Sequence, residues 1–168
     1  MTTLYLVRHG ETEENASQIL QGHLPGHLSE RGREQLHALH DELLSIPFDA
    51  VLCSDLQRCV DSAAILLEGR NIPLTYTPLL RERDWGSLTG ASIPVLKTSP
   101  FPADVETVEA MLQRAQRFLR LMHEQHDGQT VLVVSHGLFC RALRAAYSGR
   151  PMAEIDRMQN ATFRVIQV

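Results

Sequence analysis

Leu4-Tyr5-Leu6-Val7-Arg8-His9-Gly10-Glu11-Thr12 begins with four apolar residues and stops abruptly at a cation, an imidazole and a glycine. With no turn residue inside it, the apolar run reads as a buried strand. Gly10 lets the backbone turn sharply and lets a ligand come close to the main chain. The pattern recurs downstream in Thr130-Val131-Leu132-Val133-Val134-Ser135-His136-Gly137. In an open α/β sheet the carboxyl ends of the strands form the edge where ligands bind. His9 and His136 are therefore expected to face each other across one site.

Working outward, residues 13–28 are polar and punctuated by Gly22, Pro25 and Gly26, which predicts a loop with one helical turn. Ser29 fits an N-cap, and Leu36, Leu39, Leu43 and Leu44 would line a helix ending before Pro47. Ala50-Val51-Leu52-Cys53 reads as a short buried strand. Ser54 or Asp55 would cap the next helix, which runs through Val60, Ala63, Ala64 and Leu67 to Gly69. Leu74-Thr75-Tyr76-Thr77 is a third strand, and residues 89–103, with three prolines, are a loop. A long helix is expected from about Val105 to Gly128, a shorter one from Leu138 to about Tyr147, and a last strand at Thr162-Phe163-Arg164-Val165-Ile166. Strands alternating with helices predict a single-domain three-layer α/β/α sandwich over residues 1–168, with a mostly parallel central sheet.

Composition narrows the function. Hydrophobic residues at 43% and charged residues at 21% are ordinary for a globular domain. With 16 Lys+Arg against 20 Asp+Glu the net charge is −4, so no general affinity for nucleic acid or an anionic membrane is expected. Any anion site must then be a local cluster of cations. The first apolar run is too short for a signal peptide and runs into Arg8, and no stretch approaches the ~20 residues of a membrane span. Cys53, Cys59 and Cys140 form no C-x-x-C pair and read as free, buried thiols, which points to a cytoplasmic location.

A parallel sheet would gather Arg8, His9, Ser54, Arg58, Glu82 and His136 at one edge. Guanidinium forks match phosphate oxygens, and glycine-flanked amides and helix N-termini add donors. Arg8, Arg58 and a protonated His136 would together offset a phosphate dianion. Positive neighbours keep His9 neutral, so a ring holding its Nδ1 proton on a carbonyl would present Nε2 as a nucleophile. Glu82 is then the carboxylate placed to protonate the leaving oxygen and later to activate water. No metal-ligand spacing occurs among these residues, and no cofactor is called for. The pairs His37/His40 and His123/His126 read as exposed helix residues, and Glu11, Glu13 and Glu14 as turned away from an anion. His23 and His27 flank the site loop.

These residues resemble the signature set of the histidine phosphatase superfamily, the phosphoglycerate mutase-like proteins. Arg8-His9-Gly10-Glu11-Thr12 is followed in that family's order by Asn15, by Gln21-Gly22 and by Leu28-Ser29-Glu30-Arg31-Gly32. Further along come Ser54-Asp55-Leu56-Gln57-Arg58, Leu80-Arg81-Glu82 with Trp85-Gly86, Ser135-His136-Gly137 and Asn160-Ala161-Thr162. The resemblance implies a phosphoglycerate mutase-like fold, His9 as the phosphorylated nucleophile and Glu82 as the proton donor. It implies a phosphate pocket of Arg8, Arg58 and His136, helped by Asn15, Gln21, Gly22 and Gly137. The expected activity is metal-independent hydrolysis of a small phosphorylated metabolite. A mutase or a protein phosphohistidine phosphatase is the alternative within the enzyme class, and a phosphorylated-ligand sensor the alternative outside it.

Three stretches depart from the family's pattern. Glu13-Glu14 stand where an aromatic residue is usual. Val105-Glu106-Thr107 replaces Gly-Glu-Ser, and the lid region is cut to residues 89–103. In the family these regions shape substrate choice.

Overall fold

In this computed structural model, which describes residues 1–97 and 100–168, a five-stranded sheet runs β3-β2-β4-β1-β5. The strands are β1 (Thr3–Arg8), β2 (Ala50–Ser54), β3 (Leu74–Thr77), β4 (Thr130–Ser135) and β5 (Phe163–Gln167). The first four are mutually parallel, and β5 alone runs antiparallel, against β1. Arg8 pairs with Ser135, so the two His-Gly turns leave the sheet side by side.

The continuous apolar runs are explained by helices on both faces. Along β4, Val131 and Val133 pack into one core while Leu132 and Val134 enter the other. The first core lies under α4 (Val108–Gln125) and α5 (Gly137–Ser148), built on Met111, Phe118, Met122, Phe139 and Leu143. The second lies under α2 (Glu30–Leu43) and α3 (Gln57–Leu66), around Leu36, Leu39, Cys59 and Leu66. A short α1 (Glu13–Ala16) is the single helical turn expected after the first motif. The cysteines are buried free thiols, and burial pushes the Cys140 thiol up to about 12.

Several boundaries differ from the sequence reading. Ser29 caps α2 as expected, but Leu44 is 52% exposed, since it sits one residue round from the buried Leu36–Leu39–Leu43 line. Neither Ser54 nor Asp55 caps α3. Leu56 stands at that position without a side-chain bond, because Ser54 Oγ is turned to His136 and Asp55 is paired with Arg81. The helix stops at Leu66, and it buries Cys59, Ser62 and Ala63 while Ala64 is exposed.

α4 starts three residues after Val105, where Thr107 accepts from the Ala110 N–H; Val105 itself packs with Leu20 and Trp85. Within residues 89–103, Ile93–Lys97 forms a 3-10 turn and Ser92 bridges to Ile19, while Thr98 and Ser99 lie outside the described residues. No helix is long and apolar enough to cross a membrane among the described residues.

Candidate active site

His9 leaves the end of β1 and is almost wholly buried. Its Nδ1 lies 2.7 Å from the Gly10 carbonyl, which only accepts, so Nδ1 carries the proton and Nε2 is bare. Burial, then Arg58 and Arg8, hold this ring well below the usual imidazole range. Gly10 serves a different purpose from the expected ligand approach: a Cβ there would lie 2.7 Å from Leu36 Cδ1 and 2.8 Å from the Gly32 carbonyl. The glycine seats the His9 turn directly on α2.

Two guanidinium groups flank the ring. Arg8 donates from Nη1 to the Met158 carbonyl at 2.8 Å, and Arg58 donates to the carbonyls of Gly22 and Leu24. Both Nε atoms are buried without a partner among the described residues. Gly137 makes room for the first, since a Cβ there would sit 2.9 Å from Arg8 Nε. Burial lowers the pKa of both groups, and the opposing pull of Glu82 is weaker. A buried and a half-buried cation, each with a spare donor, are costly together unless an anion joins them. Arg58→Ala should therefore lower kcat on the order of 10²–10³, the loss of one preorganised donor. Steady-state kinetics on the folded variant check this, and unchanged turnover would place Arg58 outside the reaction.

Glu82 reaches the site from the loop after β3. Its Oε1 accepts from the N–H groups of Arg83 (2.9 Å) and Phe139 (3.1 Å), and its Oε2 from Leu138 (3.2 Å). The first turn of α5 thus holds the carboxylate. Arg114 of α4 braces the loop from behind, donating to the carbonyls of Leu79 and Arg81 and to the Glu106 carboxylate, and lying over the Phe139 ring. His23 donates to the Glu82 carbonyl at 3.0 Å. Asp84 is exposed and lines a neighbouring cleft instead.

His136 corrects one expectation. Its ring lies 5.3 Å from that of His9, but it is fully buried behind the cavity rather than in its wall. Its Nε2 is 2.8 Å from Ser54 Oγ. Burial first, then Arg58 and His9, push it well below the usual range, so the free site holds it neutral and not as the expected imidazolium. Because both rings refuse protons that the unfolded chain takes up below about pH 6.5, folding stability should fall as pH falls through that value and recover as it rises. Each ring contributes a slope of about 1.4 kcal/mol per pH unit. His27 and His40, raised by carboxylate partners, act in the opposite direction. Denaturation of wild type, His9→Asn and His136→Asn between pH 7 and 5 isolates the effect: both variants should show the shallower slope. An unchanged slope would mean the rings are charged in the native state.

A cavity of about 400 Å³ opens over these groups, and Arg8, His9, Arg58, Glu82, Gly22 and Gly137 line it. Asn15 and Gln21 join them. The Oδ1 of Asn15 accepts from Thr12 N–H and Asn160, and the Oε1 of Gln21 accepts from Thr12 Oγ1, which leaves both NH₂ groups for the cavity. His27 is instead bonded to Glu14 and exposed, and Glu11 accepts from Ser29. The sequence reading missed the outer wall: apolar Ile19, Leu20, Ile93, Leu96 and Met158, and the arginines Arg83, Arg141 and Arg157. Only Arg141 had a legible signal, standing one helical turn after Gly137 on the helix that opens at the site. Among the described residues, no three or more His, Cys, Asp or Glu side chains gather in a metal-holding group.

Known proteins resemble this chain over most of its length. The adenosylcobalamin/alpha-ribazole phosphatase of Salmonella typhimurium is 35% identical over 147 residues, covering 79% of this chain and 73% of its own. The glucosyl-3-phosphoglycerate phosphatase of Mycolicibacterium vanbaalenii is 31% identical, with 89% and 75% covered. Among solved structures, YhfR of Bacillus stearothermophilus superposes with a TM-score of 0.93 at 29% identity, covering 100% of this chain and 92% of its own. The alpha-ribazole phosphatase of Shigella flexneri gives 0.89 at 30% identity, covering 99% and 90%. The family model for the histidine phosphatase superfamily (branch 1) matches residues 4–168, and the chain belongs to that family.

Proposed function

We propose that this phosphatase hydrolyses small phosphomonoesters through a phosphohistidine on His9, with Glu82 moving the proton. The observation that carries the reading is the bare Nε2 of His9 beside buried Arg58 and half-buried Arg8, each with an unused, buried Nε donor. Nε2 attacks phosphorus as the P–O bond to the leaving alcohol breaks, and Glu82 gives that oxygen its proton. Water then attacks the phosphohistidine, the P–N bond breaks, and Glu82 takes the proton back. Arg8 and Arg58 meet the charge on the phosphoryl oxygens throughout.

His136, neutral in the free site and buried behind the cavity, is bonded to Ser54 and brings no charge to the phosphate. Hydrolysis is favoured over return of the phosphoryl group to a second hydroxyl, because a mutase has to hold its intermediate against water and the covering loop is short. The matched relatives are also named as phosphatases. Hydrolysis of p-nitrophenyl phosphate in EDTA, inhibited by vanadate, is the expected result. Turnover that EDTA abolishes and Mg²⁺ or Zn²⁺ restores would overturn the mechanism.

A further inference from the structure

A proton donor works only from the right place, and Glu82 reaches the cavity on a flexible stem from a loop. The Arg83 N–H is the shortest of the three backbone donors to its carboxylate, at 2.9 Å from Oε1. That N–H belongs to the peptide unit joining Glu82 to Arg83, whose other end is the Glu82 carbonyl. The unit is planar, so its N–H and C=O point in opposite directions and turn together. Whatever holds the carbonyl therefore aims the N–H.

His23 holds it. Its Nε2 lies 3.0 Å from the Glu82 carbonyl oxygen, which only accepts, so Nε2 carries the proton and donates. Arg114 Nη2 also points at this oxygen, but from 3.5 Å, the outer limit of a hydrogen bond. The histidine is itself anchored on both sides. The carbonyls of Gly22 and Leu24 accept from Arg58, and the Leu24 N–H donates to the Gln21 carbonyl at 2.8 Å. The proton donor and a phosphate-binding cation are thus both referred to the segment Gly22-His23-Leu24. The His23 side chain is half-buried and lines the neighbouring cleft, not the catalytic cavity, so it reaches substrate only through other residues.

We propose that His23 is a positioning residue for the proton transfer: by fixing the Glu82–Arg83 peptide plane it aims the Glu82 carboxyl at the leaving oxygen. This rests on the phosphatase reading above, in which Glu82 moves the proton. Losing the ring leaves the carboxyl in the cavity but frees its support, and a misplacement of about 1 Å can cost on the order of 10²-fold.

The test measures single-turnover phosphorylation by glycerol 2-phosphate, whose alkoxide needs the proton, and by p-nitrophenyl phosphate, whose phenolate does not. His23→Leu should slow the alkyl ester about 10- to 100-fold, a part of what a general acid supplies, and the aryl ester much less. His23→Gln, whose amide nitrogen can stand where Nε2 stands, should recover most of the rate. In a Glu82→Gln background His23→Leu should cost the alkyl ester nothing more, because no acid remains to be aimed. Should His23→Leu fail to fold, His23→Asn, whose shorter amide falls short of the Glu82 carbonyl, takes its place.

No loss with the alkyl ester, an equal loss for both esters, no recovery in His23→Gln, or a full further loss in the Glu82→Gln background would overturn the assignment and leave the phosphatase standing. A wild type that does not hydrolyse p-nitrophenyl phosphate, or a Glu82→Gln variant that slows both esters alike, would bring down the reading on which it rests.

Discussion

Turnover should vanish in His9→Ala while the variant still binds a phosphate-like anion. The ring's hydrogen bond runs to the adjacent Gly10 carbonyl, so truncation removes the nucleophile and leaves Arg8 and Arg58 tied to Met158, Gly22 and Leu24. The loss in kcat should be on the order of 10⁵–10⁶, the scale seen when a covalent nucleophile is deleted. Phosphate at 100 times its Kd should still raise stability by about 2.7 kcal/mol. Kinetics and phosphate-dependent melting of the same preparation separate the two effects. Loss of both together would mean that His9 organises the pocket rather than attacks phosphorus.

Glu82→Gln should divide substrates by their leaving groups. An alkyl phosphate expels a strongly basic alkoxide that needs a proton, whereas p-nitrophenyl phosphate expels a weakly basic phenolate. General acid catalysis contributes on the order of 10²–10⁴ where the proton is needed, so alkyl phosphates should lose that much and the aryl ester little in the first step. The amide oxygen can keep the donors from Arg83 and Phe139, but its NH₂ then faces the Leu138 N–H, which has lost its acceptor. The aryl substrate controls for that disturbance. With water activation also weakened, it should show a burst followed by slow turnover. An equal loss for both substrates in a single-turnover experiment would make Glu82 a binding or structural residue.

The parts of the fold set by uninterrupted apolar runs were legible in the sequence. β1 and β4 read as strands because both their faces are covered, and the histidines had to follow because the chain leaves such strands at one edge. The hydrogen bond of the His9 ring was legible too, since a carbonyl next to a sharp turn is a natural partner for Nδ1.

Residues with two possible allegiances were not. Ser54 looks like a helix cap by residue type, but its hydroxyl meets His136, which lies far off in sequence. Gly10 looks like a ligand contact, and its role depends on how closely α2 approaches. His136 was expected to be charged because phosphate is anionic, but burial and Arg58 oppose the proton in the free site. Arg157 sits in a segment with no periodicity, and only the tertiary path of residues 155–160 brings it to the cavity.

Rapid-quench labelling tests the central claim most directly. Wild-type protein mixed for milliseconds with a ³²P-labelled aryl phosphate and quenched in alkali should carry base-stable, acid-labile label, mapped by mass spectrometry to His9 and absent from His9→Ala. Label on another residue, label that persists in His9→Ala, or full turnover by wild type with no phosphoenzyme under any quench would contradict it.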